Sequence, residues 1–202
     1  CRVTVIDRRN HHVFQPLLYQ VATAALSPSD IAAPIRSVLR KAQNCRVVLE
    51  EVVKIDLERQ KIAFDEGEVD YDYLVLAAGA THSYFGRDEF EKIAPGLKSL
   101  EDAIEIRKRI LLAFESAEYE YDETARKGAL TFAIVGGGPT GVELAGAIKE
   151  IAAKSLPTEF RHIDTTTTQV ILIQGADRVL PTFPPELSER AKRDLEGMGI
   201  QV

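Results

Sequence analysis

The chain has 202 residues, of which 45% are hydrophobic, and its formal net charge at pH 7 is −6. The length suits one large or two small domains, and the acidic balance argues against a nucleic-acid partner. No apolar run approaches the roughly 18 residues that span a bilayer, and no signal-peptide pattern opens the chain. Cys1 and Cys45 lie far apart in sequence and suggest no disulfide framework, as in reducing compartments. These totals predict a soluble globular protein.

The first hundred residues predict strands with one helix among them. Residues 2–6 form an apolar run that predicts a buried strand ending in Asp7. A helix is predicted over residues 31–41, with Pro34 in its first turn. Short strands follow at residues 45–49, 52–57 and 61–64, and the last two form a predicted hairpin. Residues 73–79 predict a continuous apolar strand in the centre of a parallel sheet.

The second hundred residues repeat an α/β pattern after a connector at residues 80–98. The predicted elements are a helix at 100–119, a strand at 130–135, a helix at 142–154, a strand at 169–173 and a helix at 185–198. The pattern predicts two Rossmann-like α/β halves with parallel sheets, which meet near residue 98.

A glycine-rich loop, which we call the glycine turn, joins the strand and helix that begin the second half. It reads Gly136-Gly137-Gly138-Pro139-Thr140-Gly141 and carries the G-x-G-x-x-G spacing. The first glycine allows a tight turn, the second lets phosphates approach the backbone, and the third lets helix and strand pack closely. Helix N–H groups then face the anion, so the loop predicts dinucleotide binding.

Three residues near the glycine turn bear on the choice of nucleotide. The strand at 169–173 ends beside Gln174, where an acidic residue usually binds the ribose hydroxyls. Glutamine does not repel a 2′-phosphate, and Arg178 is near enough in sequence to attract one. Either NADPH is accepted beside NADH, or Gln174 simply binds NADH. Glu143, near the helix start, is either favoured by the helix dipole or directed toward a nicotinamide.

The first half carries a second nucleotide signature. Asp7 ends a strand as a ribose-binding acid does, and Ala78 and Gly79 end another strand with small residues that allow close approach of a cofactor. Each feature alone fits an ordinary strand end. Together, ahead of a dinucleotide loop, they indicate two nucleotide-binding halves, at residues 1–98 and 99–202.

The sequence resembles the type II NADH:quinone oxidoreductases, which are single-subunit, non-proton-pumping flavoproteins of the two-dinucleotide-binding class. The resemblance rests on residues 7–22, Asp-Arg-Arg-Asn-His-His-Val-Phe-Gln-Pro-Leu-Leu-Tyr-Gln-Val-Ala, and on residues 134–146 around the glycine turn. It implies that the half at residues 1–98 binds FAD, without its first strand and C-terminal return, and that the half at 99–202 binds NAD(P)H. It also implies hydride transfer from NADH to FAD and then two-electron reduction of a quinone. It also implies a peripheral position on the cytoplasmic side of a membrane, through C-terminal segments that this sequence lacks.

The resemblance also implies roles for individual residues. Asp7 would bind the adenosine ribose of FAD, with Arg8 near the adenine or phosphates. The glycine turn would hold NAD(P)H, with Glu143 near the nicotinamide as the catalytic residue. Further flavin contacts are implied for Pro16, Leu17, Leu18, Val52, Ala78 and Gly79.

Departures from the family pattern leave alternatives open. Gln174 stands where the family usually has Glu, and the chain begins and ends inside strand-like runs, so we expect an internal part of a longer protein whose flavin half is incomplete. A sulfide:quinone or disulfide reductase would need a reactive cysteine pair, and Cys45 is interpreted as an inert core thiol. A non-catalytic NAD(H)-binding redox sensor is the alternative from another class. A homodimer is possible, and no metal-ligand spacing is present.

Overall fold

A computed structural model describes all 202 residues. The backbone divides into two compact units, the first made of residues 1–14 and 29–81, and the second of residues 15–28 and 82–202. Each unit combines helices with a parallel strand pair or sheet, which confirms the predicted α/β class. None of the helices has the length and apolar character needed to cross a bilayer.

The first unit contains three small sheets. Its strands are β1 (Val3–Asp7), β2 (His11–Val13), β3 (Ala32–Pro34), β4 (Cys45–Leu49), β5 (Lys54–Asp56), β6 (Lys61–Ala63) and β7 (Glu68–Asp70), and the short helices in this part of the chain are α2 (Pro28–Ile31) and α3 (Ile35–Val38). Strands β1 and β4 are parallel, β2 and β3 are antiparallel, and β5, β6 and β7 form an antiparallel meander. The predicted hairpin is confirmed, and β7 extends it.

The single helix predicted over residues 31–41 is wrong. Residues 32–34 form β3, which pairs with β2 from Val13↔Ala32 to His11↔Pro34, and only Ile35–Val38 are helical afterwards. Pro34 is the physical reason, because its ring disfavours helical backbone at the preceding residue. The chain therefore extends before Pro34 and turns into a helix only after it.

The strand predicted over residues 73–79 is not formed. This segment has no regular secondary structure, and Tyr73, Val75 and Leu76 are 95%, 85% and 71% exposed. An apolar run records a preference for burial, but a strand also needs a neighbour to bond its backbone. No strand of the described chain pairs with this segment, so its composition alone does not make it one.

The second unit is built on a parallel sheet of order β10-β9-β8. Its elements are α1 (Leu18–Ala22), α4 (Leu100–Tyr119), α5 (Glu123–Ala129), β8 (Thr131–Val135), α6 (Pro139–Glu150), β9 (Gln169–Ile173), α7 (Pro185–Gly197) and β10 (Ile200–Gln201). Short 3-10 turns lie at Gln15–Leu17, Asp88–Lys92, Leu156–Thr158 and Thr165–Thr167, and a π turn at Ile151–Ser155 follows α6. The two predicted strands and the helices around them are confirmed within a few residues.

Helix α4 supplies much of the second unit's core. Ser99 and Asp102 form a reciprocal capping box that begins the helix, and the ring of Phe114 lies 5.5 Å from Phe132 and 6.0 Å from Phe160. Helix α1 packs against α4 and α6. The buried residues of α4 and α1 are Ala103, Ile106, Ile110, Phe114, Ala117, Leu18, Val21 and Ala22. This apolar packing supports the helix that follows the glycine turn.

The glycine turn reverses the chain between β8 and α6. Gly136 has a φ of +110°, which L side chains rarely adopt. A Cβ at Gly141 would fall well inside contact distance of the Gly136 carbonyl oxygen. Pro139, predicted within the loop, is instead the first residue of α6, where its missing N–H is harmless. The turn therefore depends on glycine at both of its ends.

We expect Gly141→Ala to disrupt this turn, because the Gly136 oxygen is backbone and cannot rotate away. The expected loss of unfolding free energy is about 1–3 kcal/mol or more, measured as a lower urea midpoint. Gly146→Ala, in the same helix with only Met198 Cε 4.0 Å away, is the control and should stabilise the chain by roughly 0.5–1 kcal/mol. Equal midpoints for the two variants would contradict the steric argument.

Candidate functional site

The backbone N–H groups of the glycine turn divide into two sets. The Gly136 N–H donates to the carbonyl of Ile173 at 2.8 Å, and the Gly137 N–H donates to Gln174 Oε1 at 2.7 Å. Those of Thr140 and Gly141, in the first turn of α6, have no acceptor within the helix. A Cβ at Gly138 would meet nothing within 4 Å, so open space lies beside the backbone there. This arrangement suits a phosphate anion.

The middle of the glycine turn is held by residues that the sequence analysis did not identify. The Gly137 carbonyl accepts from the N–H of Leu180 at 2.6 Å, and the buried Ser188 hydroxyl donates to the Leu180 carbonyl at 3.1 Å. A Cβ at Gly137 would lie 3.1 Å from Val179 Cγ1. The only local signal for these residues is the apolar pair Val179-Leu180. The partner of Leu180 is the backbone carbonyl of Gly137, 43 residues earlier in the chain, and no sequence pattern shows this contact.

Gln174 lies directly after β9 and contacts the glycine turn. Because Gly137 N–H is a donor, it fixes Oε1 as the amide atom facing it, which leaves the Nε2 group as a donor directed elsewhere. A carboxylate at this position has only acceptor oxygens. The Gln174 amide therefore differs from a carboxylate in two ways. It is uncharged, and it offers a ligand an N–H donor that a carboxylate lacks.

Arg178 has a structural role in the loop that follows β9. Its Nη2 donates to the carbonyl oxygens of Pro181 at 3.0 Å and Phe183 at 3.3 Å. Two acceptors of the guanidinium are thus backbone atoms of its own loop. An attraction of Arg178 for the 2′-phosphate of NADPH would act in addition to these two hydrogen bonds.

Glu143 is the fifth residue of α6, one turn later than the sequence indicated, because the helix begins at Pro139. The side chain is exposed, yet the surrounding protein removes part of its hydration and raises the pKa of Glu143 above its ordinary value. A favourable helix dipole acts in the opposite direction, lowering a carboxyl pKa within the first turn. As the fifth residue of α6, Glu143 lies just beyond the first turn, in which the helix dipole mainly acts.

A second group of predicted residues meets at one edge of the first unit. Strands β1 and β4 are paired up to Asp7↔Leu49, and Glu50 N–H donates to the Asp7 carbonyl at 3.1 Å. The Asp7 carboxylate accepts from the Arg9 N–H at 2.7 Å. Parallel register thus places Asp7 and the residues after β4 at the same edge.

Arg8 and Val52 flank this edge. The Arg8 guanidinium lies 3.9 Å from the Glu51 carboxylate, and both side chains are mostly exposed, so this pair contributes little to stability. Val52 follows directly and is exposed. Strand register and the Arg8–Glu51 pair therefore bring Asp7 and Arg8 to the edge at which the segment containing Val52 begins.

The remaining predicted contacts are dispersed. Ala78 and Gly79 are exposed and irregular, and Gly79 has a φ of +73°. Pro16 is exposed, but Leu18 is only 3% exposed because α1 packs against α4 and α6. The side chain of Leu18 is thus used by the core of the second unit.

The two cysteines are closer together than the sequence indicated. Val3 pairs with Cys45 across β1 and β4, and Cys1 and Cys45 line the same cavity. Cys1 is exposed and Cys45 is half-buried. The predicted core position of Cys45 is not confirmed, because the residue is half-buried and parallel pairing brings the start of the chain beside it.

Curated relatives match almost the whole chain. It is 48% identical over 99% of its length to the type II NADH:quinone oxidoreductase Ndh of Mycobacterium tuberculosis, of which it covers 44%. It is 32% identical to the mitochondrial external alternative NAD(P)H-ubiquinone oxidoreductase B2 of Arabidopsis thaliana, of which it covers 36%. The chain thus spans less than half the length of these relatives.

Solved structures have the same fold. NDH2 from Plasmodium falciparum, solved in complex with NADH, matches all of the chain with a TM-score of 0.88 and 29% identity, and 42% of that protein is covered. The sulfide:quinone oxidoreductase of Aquifex aeolicus matches 99% of the chain with a TM-score of 0.75, but at 17% identity this shows the fold alone. The family model described as pyridine nucleotide-disulphide oxidoreductase matches residues 1–202. Together with the glycine turn that follows β8, this match shows that the chain belongs to the pyridine nucleotide-disulphide oxidoreductase family.

Proposed function

We propose that the complete natural protein is a flavin-dependent NADH dehydrogenase that passes a hydride from NADH to FAD and then two electrons to a quinone. The observation that carries this proposal is the open glycine turn, in a chain 48% identical to a type II NADH:quinone oxidoreductase. The NADH complex of the Plasmodium structure supports the same nucleotide. Because the chain spans less than half of these relatives, the activity concerns the whole protein.

The proposed nucleotide site uses backbone donors of the second unit. The N–H groups of Thr140 and Gly141 donate to the pyrophosphate, and the absence of a side chain at Gly138 lets it approach. Gln174 faces the adenosine ribose at the end of β9. Its inward bond to Gly137 makes its amide NH₂ the group presented to the 2′ position.

In this proposal Glu143 stabilises charge near the nicotinamide. Loss of a hydride leaves positive charge on that ring, and a carboxylate within a few ångströms lowers the energy of this change. The partial desolvation that raises the pKa of Glu143 also strengthens its electrostatic effect. The residue therefore acts best in its ionised form.

The sheet edge of the first unit fits part of a flavin dinucleotide. The half-buried Asp7 carboxylate retains acceptor capacity for ribose hydroxyls beyond its bond from Arg9, and Arg8 supplies a cation beside it. Val52, Ala78 and Gly79 are proposed as adenine and flavin contacts, and Pro16 and Leu17 as further ones. Bound by these residues, FAD would supply the hydride-accepting and two-electron-donating chemistry of the reaction.

The quinone in the names of the relatives supports a quinone as the electron acceptor. A peripheral position on the cytoplasmic side of a membrane and a homodimer are further proposals, which rest on the family resemblance. Neither involves an identified surface of this chain.

The function is tested on the full-length protein by its absorbance spectrum. We expect flavin bands that bleach when NADH is added and recover when a soluble quinone follows. A colourless protein that binds NADH would instead favour a redox sensor. Bleaching by sulfide but not by NADH would favour a sulfide:quinone reductase.

Gln174→Glu should make the enzyme discriminate against NADPH. A second negative charge near the 2′-phosphate costs about 1.4 kcal/mol or more, which is at least ten-fold in kcat/KM for NADPH with little change for NADH. Gln169→Glu, at the other end of β9, is the matched control. A wild-type preference for NADH of about a thousand-fold would already contradict tolerance of NADPH.

Glu143→Gln should slow flavin bleaching by NADH on the order of ten-fold at neutral pH. In the wild type the rate should rise as pH increases through the raised pKa of Glu143, because ionisation supplies the stabilising charge. The variant should lose this pH dependence, as measured by stopped-flow absorbance. Glu150→Gln in the same helix is the control, and an unchanged pH profile in Glu143→Gln would exclude this role.

A further inference from the structure

The parallel pairing of β1 and β4 brings two thiols to one cavity. Val3 is directly opposite Cys45, and the cavity of about 320 Å³ beside them is lined by Cys1, Arg2, Gln43, Asn44, Cys45 and Arg46. Cys1 lies two residues before Val3, ahead of the first residue of β1, and lines this cavity together with Cys45.

The surroundings of these thiols are cationic. Arg2 and Arg46 line the shared cavity. A second cavity of about 260 Å³, which Cys45 also lines, is lined by Arg36 and Arg40. No acidic side chain lines either cavity. Reactive cysteines are typically found in such electropositive, partly exposed positions, and these charges attract an anionic oxidant.

We propose that Cys1 and Cys45 form a redox-active dithiol that a low-molecular-weight disulfide converts into an intramolecular disulfide. The exposed Cys1 thiolate attacks one sulfur of the reagent, forms a mixed disulfide and releases one thiolate. The Cys45 thiolate then attacks the Cys1 sulfur, forms the protein disulfide and releases the second thiolate. The two cysteines lose two electrons, the reagent gains them, and the two released thiolates take up the two protons.

The closure requires a small displacement of Cys1. Strand spacing near 4.8 Å and a rise near 3.3 Å per residue place the two Cα atoms about 8 Å apart. A disulfide requires at most about 6.8 Å, so Cys1 moves by about 1–2 Å. Cys1 precedes β1. The first backbone hydrogen bond that links β1 to the β4 segment is donated by the Val3 N–H to the Asn44 carbonyl at 2.9 Å. The Cys1 carbonyl is held by the Asn44 side chain at 3.1 Å, which keeps the residue beside β4.

The test uses the full-length protein incubated with glutathione disulfide and mapped by mass spectrometry without reduction. We expect a peptide that links Cys1 to Cys45, at about one per chain, and its loss after dithiothreitol. Cys45→Ser should instead retain one glutathione on Cys1. Separate glutathione adducts on both wild-type cysteines, or no reaction at either, would overturn the proposal.

A second measurement tests the cationic surroundings without removing either thiol. Arg46→Gln should slow oxidation by glutathione disulfide, which is anionic, by about three-fold, but not oxidation by the neutral 2-hydroxyethyl disulfide. Lys54→Gln, in β5 and outside both cavities, is the matched control. Equal slowing with both reagents would show that the arginine does not act through charge.

Discussion

The carbonyl oxygen of Gly136 occupies the place where a side chain of residue 141 would stand, and the second unit depends on this close approach. It lets α6 begin immediately after β8, with a positive φ at Gly136 providing the reversal. The first N–H groups of α6 are then left without helical acceptors, and open space lies beside Gly138. One steric constraint therefore creates both the chain reversal and the anion-binding geometry.

Strand register connects this turn with distant residues. Val135 pairs with Ile173, so the next residues on the two strands, Gly136 and Gln174, leave the sheet at the same level. The Gln174 amide reaches the Gly137 N–H as a consequence. The side chain that we propose to face the nucleotide is thus also part of the support of the glycine turn. In the proposed function, one residue therefore serves both cofactor choice and loop geometry.

The errors of the sequence analysis have a common physical origin. An apolar pattern describes what a segment would bury, but hydrogen-bonding partners decide whether it becomes a strand. Residues 73–79 have the composition and lack the partner, while Ala32–Pro34 lack the composition and have β2 beside them. The surroundings of Cys45 follow the same rule, since Val3, its neighbour across the sheet, is far away in the chain.

Local patterns in the amino-acid sequence were enough to predict the α/β class, the long α4 helix, the β8–glycine turn–α6 unit and the position of Asp7 at the end of a strand. These features depend on local periodicity, on capping residues and on glycine's unique backbone freedom, all of which act over a few residues. Three-dimensional packing was needed to reveal the bond of Gln174 to the glycine turn, the raised pKa of Glu143, the burial of Leu18 and the shared cavity of Cys1 and Cys45. Each of these arises from register or packing between distant segments, and therefore from contacts that no local pattern encodes.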